Sequence, residues 1–409
     1  RASRRLEDLR SAYEHVHFPP NQEAFDSARR RLAFDEFFYL QVALAWVRKR
    51  NSSCSRGVAH SPPGSLVSAV LRGLPFSLTN AQTRVLAEIG ADLESEAPMN
   101  RLLMGDVGSG KTVVAALALA RAVESGYQGA LMAPTEILAE QHYASLCRIL
   151  GEAGIRVTLL SGSQAPSARE EAIRELARGD AHVAVGTHAL IQDRVEFKAL
   201  SLVVTDEQHR FGVRQRAALQ AKGITPDVLV MTATPIPRTL ALTVFGDLDV
   251  SIIDELPPGR RPVRTIWRRP EGRARVYSWL REQVERGRQA YVVCPLIDDS
   301  ETVSARAATE LKDELQRGAL SGMQVGLLHG RMKPDEKRSA MDAFKSGRTR
   351  VLVSTTVIEV GVDVPSATIM IVEGAERFGL AQLHQLRGRV GRGRQQSYCV
   401  LLWRSGEWL

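Results

Sequence analysis

From Leu66 onward the chain alternates short, continuous apolar runs with longer stretches whose apolar residues recur every three or four positions. Continuous apolar runs suit strands covered on both faces, and helical stretches between them suit the crossovers that parallel strands require. The pattern predicts strands at 101–104, 130–133, 157–160, 183–185, 202–205 and 228–232. A Pro/Gly/Arg segment, 256–262, interrupts it. Strands then resume at 290–294, 324–328, 350–353, 368–372 and 397–402. Two α/β domains, each a parallel sheet flanked by helices, are expected, with a hinge near Gly259.

The residues ahead of this region read differently. Leu6, Leu9 and Tyr13 fall at helical spacing, Pro19 and Pro20 mark a turn, and a second helix is predicted over 23–49. Phe25, Leu32, Phe37, Leu40, Leu44 and Val47 fall toward one side of it, a stripe that predicts packing against the next domain. The run Arg29, Arg30 and Arg31 predicts a solvated face. Ser, Gly and Pro over 51–64 predict a flexible connection. The expected organisation is a helical linker over 1–64, a first domain over 65–258 and a second over 259–409.

Composition changes this picture little. A chain of 409 residues exceeds one ordinary core. No apolar run reaches the roughly 18 residues of a membrane span, and Arg1 to Arg5 lack the apolar segment of a secretory signal, so a cytosolic protein is expected. Cys54, Cys147, Cys294 and Cys399 lie far apart, which favours reduced, buried thiols over zinc or disulfides. The net charge of +8 and a pI near 9.5 favour a polyanionic partner without establishing one.

The candidate chemistry centres on Gly105, Asp106, Val107, Gly108, Ser109, Gly110, Lys111 and Thr112, which fit the phosphate-loop pattern G-x-x-x-x-G-K-[ST] between a strand and a helix. Glycines let backbone N–H groups turn toward phosphate oxygens. Lys111 would reach the β- and γ-phosphates, and Thr112 would place its hydroxyl on Mg²⁺. Asp206 and Glu207 end the apolar run 202–205 and so stand at the carboxyl edge of the sheet, Asp206 as metal carboxylate and Glu207 as the base for an attacking water. A helix cap or surface pair is the alternative for two such acids. Arginines of the run 387–392 could stabilise charge on a transferring phosphoryl group if the two domains meet over the nucleotide; otherwise they belong to a basic surface loop.

Further motifs follow in order: 133–136, 186–188, 206–213, 232–239, 329–332, 354–356 continuing to 361–365, and 378–385. With the phosphate loop and the arginine run, they resemble a superfamily 2 helicase motor, and within it the RecG family of branch-migration helicases. The resemblance implies two RecA-like P-loop domains and an ATP-dependent DNA translocase that remodels stalled forks and branch-migrates Holliday junctions, with ATP and Mg²⁺. It implies adenine recognition in the segment of Phe76 and Gln82, although Thr79-x-x-Gln82 also fits a helix capping box. It assigns Gly361, Asp363 and Gln385 to the nucleotide side of the cleft. Gln208, His209, Thr232 and Thr234 would couple hydrolysis to motion.

The same resemblance makes Thr135, Thr187, His329 and Thr355 binders of the DNA backbone, with sequence-independent, salt-dependent contacts to branched or duplex DNA. For each threonine a cap or turn role competes. A monomer at the nucleoid, in contact with single-strand-binding protein, is the expectation. In the family a wedge domain precedes the motor and a helical hairpin follows it, so the chain is expected to be a piece of a longer protein. The alternatives are the motor of a transcription-repair coupling factor and a non-catalytic, ATP-gated DNA-binding module. Gln208 and the linker at 17–36 favour RecG over the former, and the intact Lys111, Asp206, Glu207, Arg389 and Arg392 oppose the latter.

Overall fold

The computed structural model describes residues 6–54, 57–162, 164–206, 219, 221–223, 225–233, 248–257, 259–295, 301–355, 364, 366–391, 393 and 395–403. Helices α1 (Leu9–His17) and α2 (Gln22–Cys54) lead into α3 (Ser65–Gly73) and α4 (Asn80–Leu93). The first sheet comprises β1 (Asn100–Gly105), β2 (Gln128–Met132), β3 (Val157–Leu160), β4 (Val183–Gly186), β5 (Leu200–Asp206), β6 (Asp227–Thr232) and β7 (Asp249–Ile253). Between its strands run α5 (Lys111–Glu124), α6 (Glu136–Leu150) and α7 (Pro166–Arg178). The second sheet comprises β8 (Arg264–Arg268), β9 (Gln289–Val293), β10 (Val325–Leu328), β11 (Val351–Ser354), β12 (Ala367–Glu373) and β13 (Tyr398–Leu402), with α8 (Arg273–Glu285), α9 (Glu301–Arg317), α10 (Pro334–Lys345) and α11 (Leu380–Arg387).

The strand orders are β3-β4-β2-β5-β6-β1-β7 and β10-β11-β9-β12-β13-β8, with all pairings parallel. All strand carboxyl ends in a sheet therefore meet along one edge, where ligands of such sheets bind. Every predicted strand forms. β7 and β8 are additions: β7 alternates in burial, and β8 is a largely exposed edge, so neither shows the continuous apolar run that marks the others. They flank the Pro/Gly/Arg segment.

Helix α5 explains how the phosphate loop is held. Val113 to Ala122 are all buried, because α5 packs on α3, α4 and α6 as well as on β2 and β5. Small Ala residues allow that close approach, and a helix apolar all round is one enclosed by neighbours. At its far end Glu124 accepts the N–H groups of Gly64, Leu66 and Val67, and so caps α3, whose own cap residue is a glycine.

Three expectations for the leading segment are corrected. The stripe on α2 is not a core face: Phe37 is 55% and Leu40 42% exposed, since α2 packs on the much shorter α1. Arg31 is buried and paired with Asp35 at 2.9 Å, so only Arg29 and Arg30 of the arginine run are solvated. Residues 51–54 and 57–64 do not form the flexible connection expected. Residues 51–54 continue α2, and the backbone from Gly57 to Gly64 is fastened to the first domain by Gly57 N–H to Glu96 O, His60 N–H to Leu93 O and the Glu124 cap. The His60 ring is buried, with Nε2 3.1 Å from Asp227 Oδ2, and Asp227 Oδ1 accepts the Met99 N–H. Cys294 and Cys399 are buried, whereas Cys147 is half-buried.

Candidate functional site

The loop between β1 and α5 has the shape that its glycines dictate. Gly108 (φ +76°) and Gly110 (φ +92°) take left-handed backbone, and Gly110 is the cap residue of α5. Ser109 N–H bonds Asp106 O, and Val107 N–H bonds Asp106 Oδ1, so Asp106 closes the turn on itself. Lys111 Nζ sits inside the loop and donates to Gly105 O at 2.7 Å and Asp106 O at 3.1 Å. Ser109 Oγ is buried and makes no hydrogen bond among the described residues. A cradle of left-handed glycines, an inward ammonium, an orphaned hydroxyl and a helix start fits a polyphosphate.

Asp206 ends β5 two strands from β1: it is level with Met231 of β6, which is level with Leu103 of β1. That places its backbone about 10 Å from the loop strand. Its carboxylate accepts from His142 Nε2 at 2.8 Å. Burial opposes ionisation of Asp206, but the His142 bond together with Lys111 and Arg389 outweighs it and holds the carboxyl below its ordinary range. Among the described residues no group of three or more His, Cys, Asp or Glu could hold a metal by itself. One ionised carboxylate, the half-buried Thr112 and phosphate oxygens form the donor set that suits Mg²⁺, which takes few protein ligands.

The second domain completes the cleft. Gly388, directly after α11, lies so close to Val107 that a Cβ there would stand 2.4 Å from Val107 Cγ2. His384 Nε2 and Arg387 Nη2 lie 3.0 and 3.5 Å from the two oxygens of Asp106. Gln385 and Arg389 are buried in the same region. From the hinge, Arg260 donates to Val107 O at 3.0 Å and occupies the space that a side chain on Gly108 would need.

Other expected residues fare unevenly. Gln82 takes the capping-box role: Oε1 accepts the Thr79 N–H, Thr79 Oγ1 accepts the Gln82 N–H, and Nε2 donates to Ser109 O at 2.7 Å. At 2% exposure it braces α4 against the phosphate loop. Phe76 is 48% exposed and open to stacking. Thr232 is buried at the end of β6. Glu207, Gln208, His209, Thr234, Gly361, Asp363 and Arg392 lie outside the described residues.

Thr135 caps α6 through the Leu138 N–H, and His329 is half-buried after β10, where burial, then Lys337 and Arg331, hold its ring toward the neutral form. Thr187 and Thr355 are each 2% exposed, and their N–H groups are taken by Leu160 O and Leu328 O, while the Thr187 hydroxyl makes no hydrogen bond among the described residues.

His142, Arg260 and His384 are not among the expected site residues, and Arg387 belongs to the expected arginine run. His142 carried a signal, because it falls in register with Ala139, Leu146 and Leu150 on the buried face of α6, a polar ring in an apolar stripe. No sequence spacing links the others to the loop, since the contacts span two domains.

Residues 79–243 match the family described as DEAD/DEAH box helicase, and 274–394 match the helicase conserved C-terminal domain. The ATP-dependent DNA helicase RecG of Synechocystis sp. is 53% identical over 397 residues, covering 97% of this chain and 48% of that protein. RecG of Bacillus subtilis (strain 168) is 51% identical, covering 98% and 59%. A solved structure of RecG bound to a three-way DNA junction superposes with a TM-score of 0.83 at 47% identity, over 99% of this chain and 53% of that one. The chain thus spans about half the length of the curated relatives it matches. Its two sheets with their flanking helices are RecA-like domains, and across nearly its whole length the chain belongs to the bacterial RecG family of helicases.

Proposed function

We propose that this chain is the motor of an ATP-dependent DNA helicase, which translocates on DNA and, within a full-length protein, remodels stalled forks and branch-migrates four-way junctions. The single observation that carries the reading is the meeting of the phosphate loop and Asp206 with α11 and Arg389 across one cleft. Hydrolysis at such a site depends on how the two domains are docked, which is how a chemical step becomes movement.

In this reading Lys111 leaves the Gly105 and Asp106 carbonyls for the β- and γ-phosphates, and Phe76 stacks on the base. Glu207 orients the attacking water, while Arg389 and Arg392 stabilise charge on the transferring phosphoryl group. Mg²⁺, held by Thr112, Asp206 and the phosphates, would neutralise charge between the β- and γ-oxygens. Gln385, Gly361 and Asp363 line the second-domain side, and Gln208, His209, Thr232 and Thr234 relay its closure.

The functional units are the linker 1–64, the first domain 65–258 and the second 259–409. DNA binds through its backbone near Thr135 and His329, without base reading. No described helix is long and apolar enough to cross a membrane. A monomer acting at the bacterial nucleoid, with single-strand-binding protein as a partner, completes the reading.

Lys111→Ala tests it. The variant is expected to lose ATP turnover and to keep DNA binding, because the ammonium lies within the phosphate loop and not among the expected DNA contacts. Undiminished turnover, or parallel loss of DNA binding in a folded variant, would overturn the assignment.

A further inference from the structure

We infer that His142 is a positioning residue for Asp206, fixing the rotamer in which that carboxylate faces the metal at the nucleotide phosphates. The inference rests on the reading of Asp206 as the Mg²⁺ carboxylate. Among the described residues, His142 makes the one hydrogen bond to that carboxylate, at 2.8 Å, and it takes Oδ2. A carboxylate accepts, so His142 Nε2 carries the proton.

The ring cannot easily swing away. Helix α6 is buried along Ala139, His142, Leu146 and Leu150, and its first turn is pinned by Thr135. An imidazole in an apolar stripe needs a polar partner, and Asp206 is the partner that β5 delivers. The tie joins a helix to the end of a strand across the sheet edge: Asp206 is the last residue of β5, where regular strand pairing stops constraining the chain. Without the bond, the side chain would have to be ordered by the metal itself. Partners of this kind, behind a ligating carboxylate, are worth about 10–100-fold in metal affinity.

The test is binding of a fluorescent ATP analogue to the chain, titrated with Mg²⁺ and repeated in EDTA, for wild type, His142→Ala, His142→Gln and Asp206→Asn. His142→Ala is expected to raise the Mg²⁺ concentration needed for half-maximal tight binding by about tenfold or more, with affinity in EDTA unchanged. Gln places an amide N–H where Nε2 stood and is expected to restore most of the Mg²⁺ response. A wild-type Mg²⁺ requirement in His142→Ala, or an equal loss of affinity with and without Mg²⁺, would overturn the inference, the second result marking a merely structural ring. If Asp206→Asn itself leaves the Mg²⁺ requirement unchanged, the metal assignment fails instead.

Discussion

His384 of helix α11 and Asp106 of the phosphate loop meet across the domain cleft, with Nε2 3.0 Å from Oδ1. Arg387 Nη2 lies 3.2 Å from the other ring nitrogen, Nδ1. A guanidinium can only donate, so Nδ1 accepts and Nε2 carries the ring hydrogen, beside the carboxylate. The loop that would hold phosphate in one domain is thus clasped by the other.

This clasp should titrate. The His384 ring first, then the Val107 N–H and Arg387, hold the Asp106 carboxyl below its ordinary value against the opposing effect of burial. A folded pKa below the unfolded one gives stability that is present above the unfolded value, about 4, and is lost as pH falls through the folded value. Thermal unfolding of Asp106→Asn is therefore expected to lack part of the acid-side decline of wild type. Superimposable acid limbs would contradict the clasp.

Gly388→Ala should pry the cleft open. The added methyl meets Val107 rather than solvent, so α11 must retreat from the loop. Loss of ATP turnover by about 10- to 100-fold is expected from a misplacement near 1 Å, with little change in melting temperature. Wild-type turnover would show that α11 need not seat this closely.

Gly108→Ala fails for two reasons at one position. The left-handed φ of +76° costs a non-glycine residue about 1–2 kcal/mol, and the methyl would also displace Arg260 from Val107 O. Nucleotide affinity, read by equilibrium titration, should fall sharply, and retained affinity would mean that the loop does not use this conformation when occupied.

Features set by local forces are legible in the sequence, and those set by domain docking are not. Val203, Val204, Val230 and Met231 lie on strands covered on both faces, so their runs are continuous and easily read. Strands β7 and β8 lack such runs, and β8 exposes Trp267 at a sheet edge. The phosphate loop was legible because glycine spacing is itself a backbone instruction. The clasp of Asp106 by His384 was not, since 278 positions separate the two residues and only domain docking unites them. Gln82 shows the intermediate case: its spacing from Thr79 announces a cap, and its bond to Ser109 O comes only with the fold.

Gln82→Ala separates bracing from base reading. Loss of the reciprocal bond to the Thr79 N–H should cost about 1 kcal/mol of stability. Affinities for ATP and GTP should fall together, because the lost bond goes to the loop carbonyl. A loss confined to ATP would favour the adenine-reading role.

His60→Ala should loosen the segment that joins α2 to the motor. It would leave the buried Asp227 with the Met99 N–H as its remaining hydrogen-bond partner among the described residues, at a cost of about 1–3 kcal/mol in denaturant unfolding. A variant as stable as wild type would show that the backbone bonds of Gly57 and His60 and the Glu124 cap suffice to hold the segment.

If both domains build one ATP site whose turnover answers to DNA, ATP hydrolysis by this chain, measured without DNA and with single strand, linear duplex and a synthetic fork, beside Arg389→Ala, will show it. Stimulation by DNA is expected in wild type, with turnover reduced about a thousandfold in the variant, since the lost guanidinium no longer stabilises the transferring phosphoryl group. Equal turnover by wild type and Arg389→Ala, with or without DNA, would contradict the account.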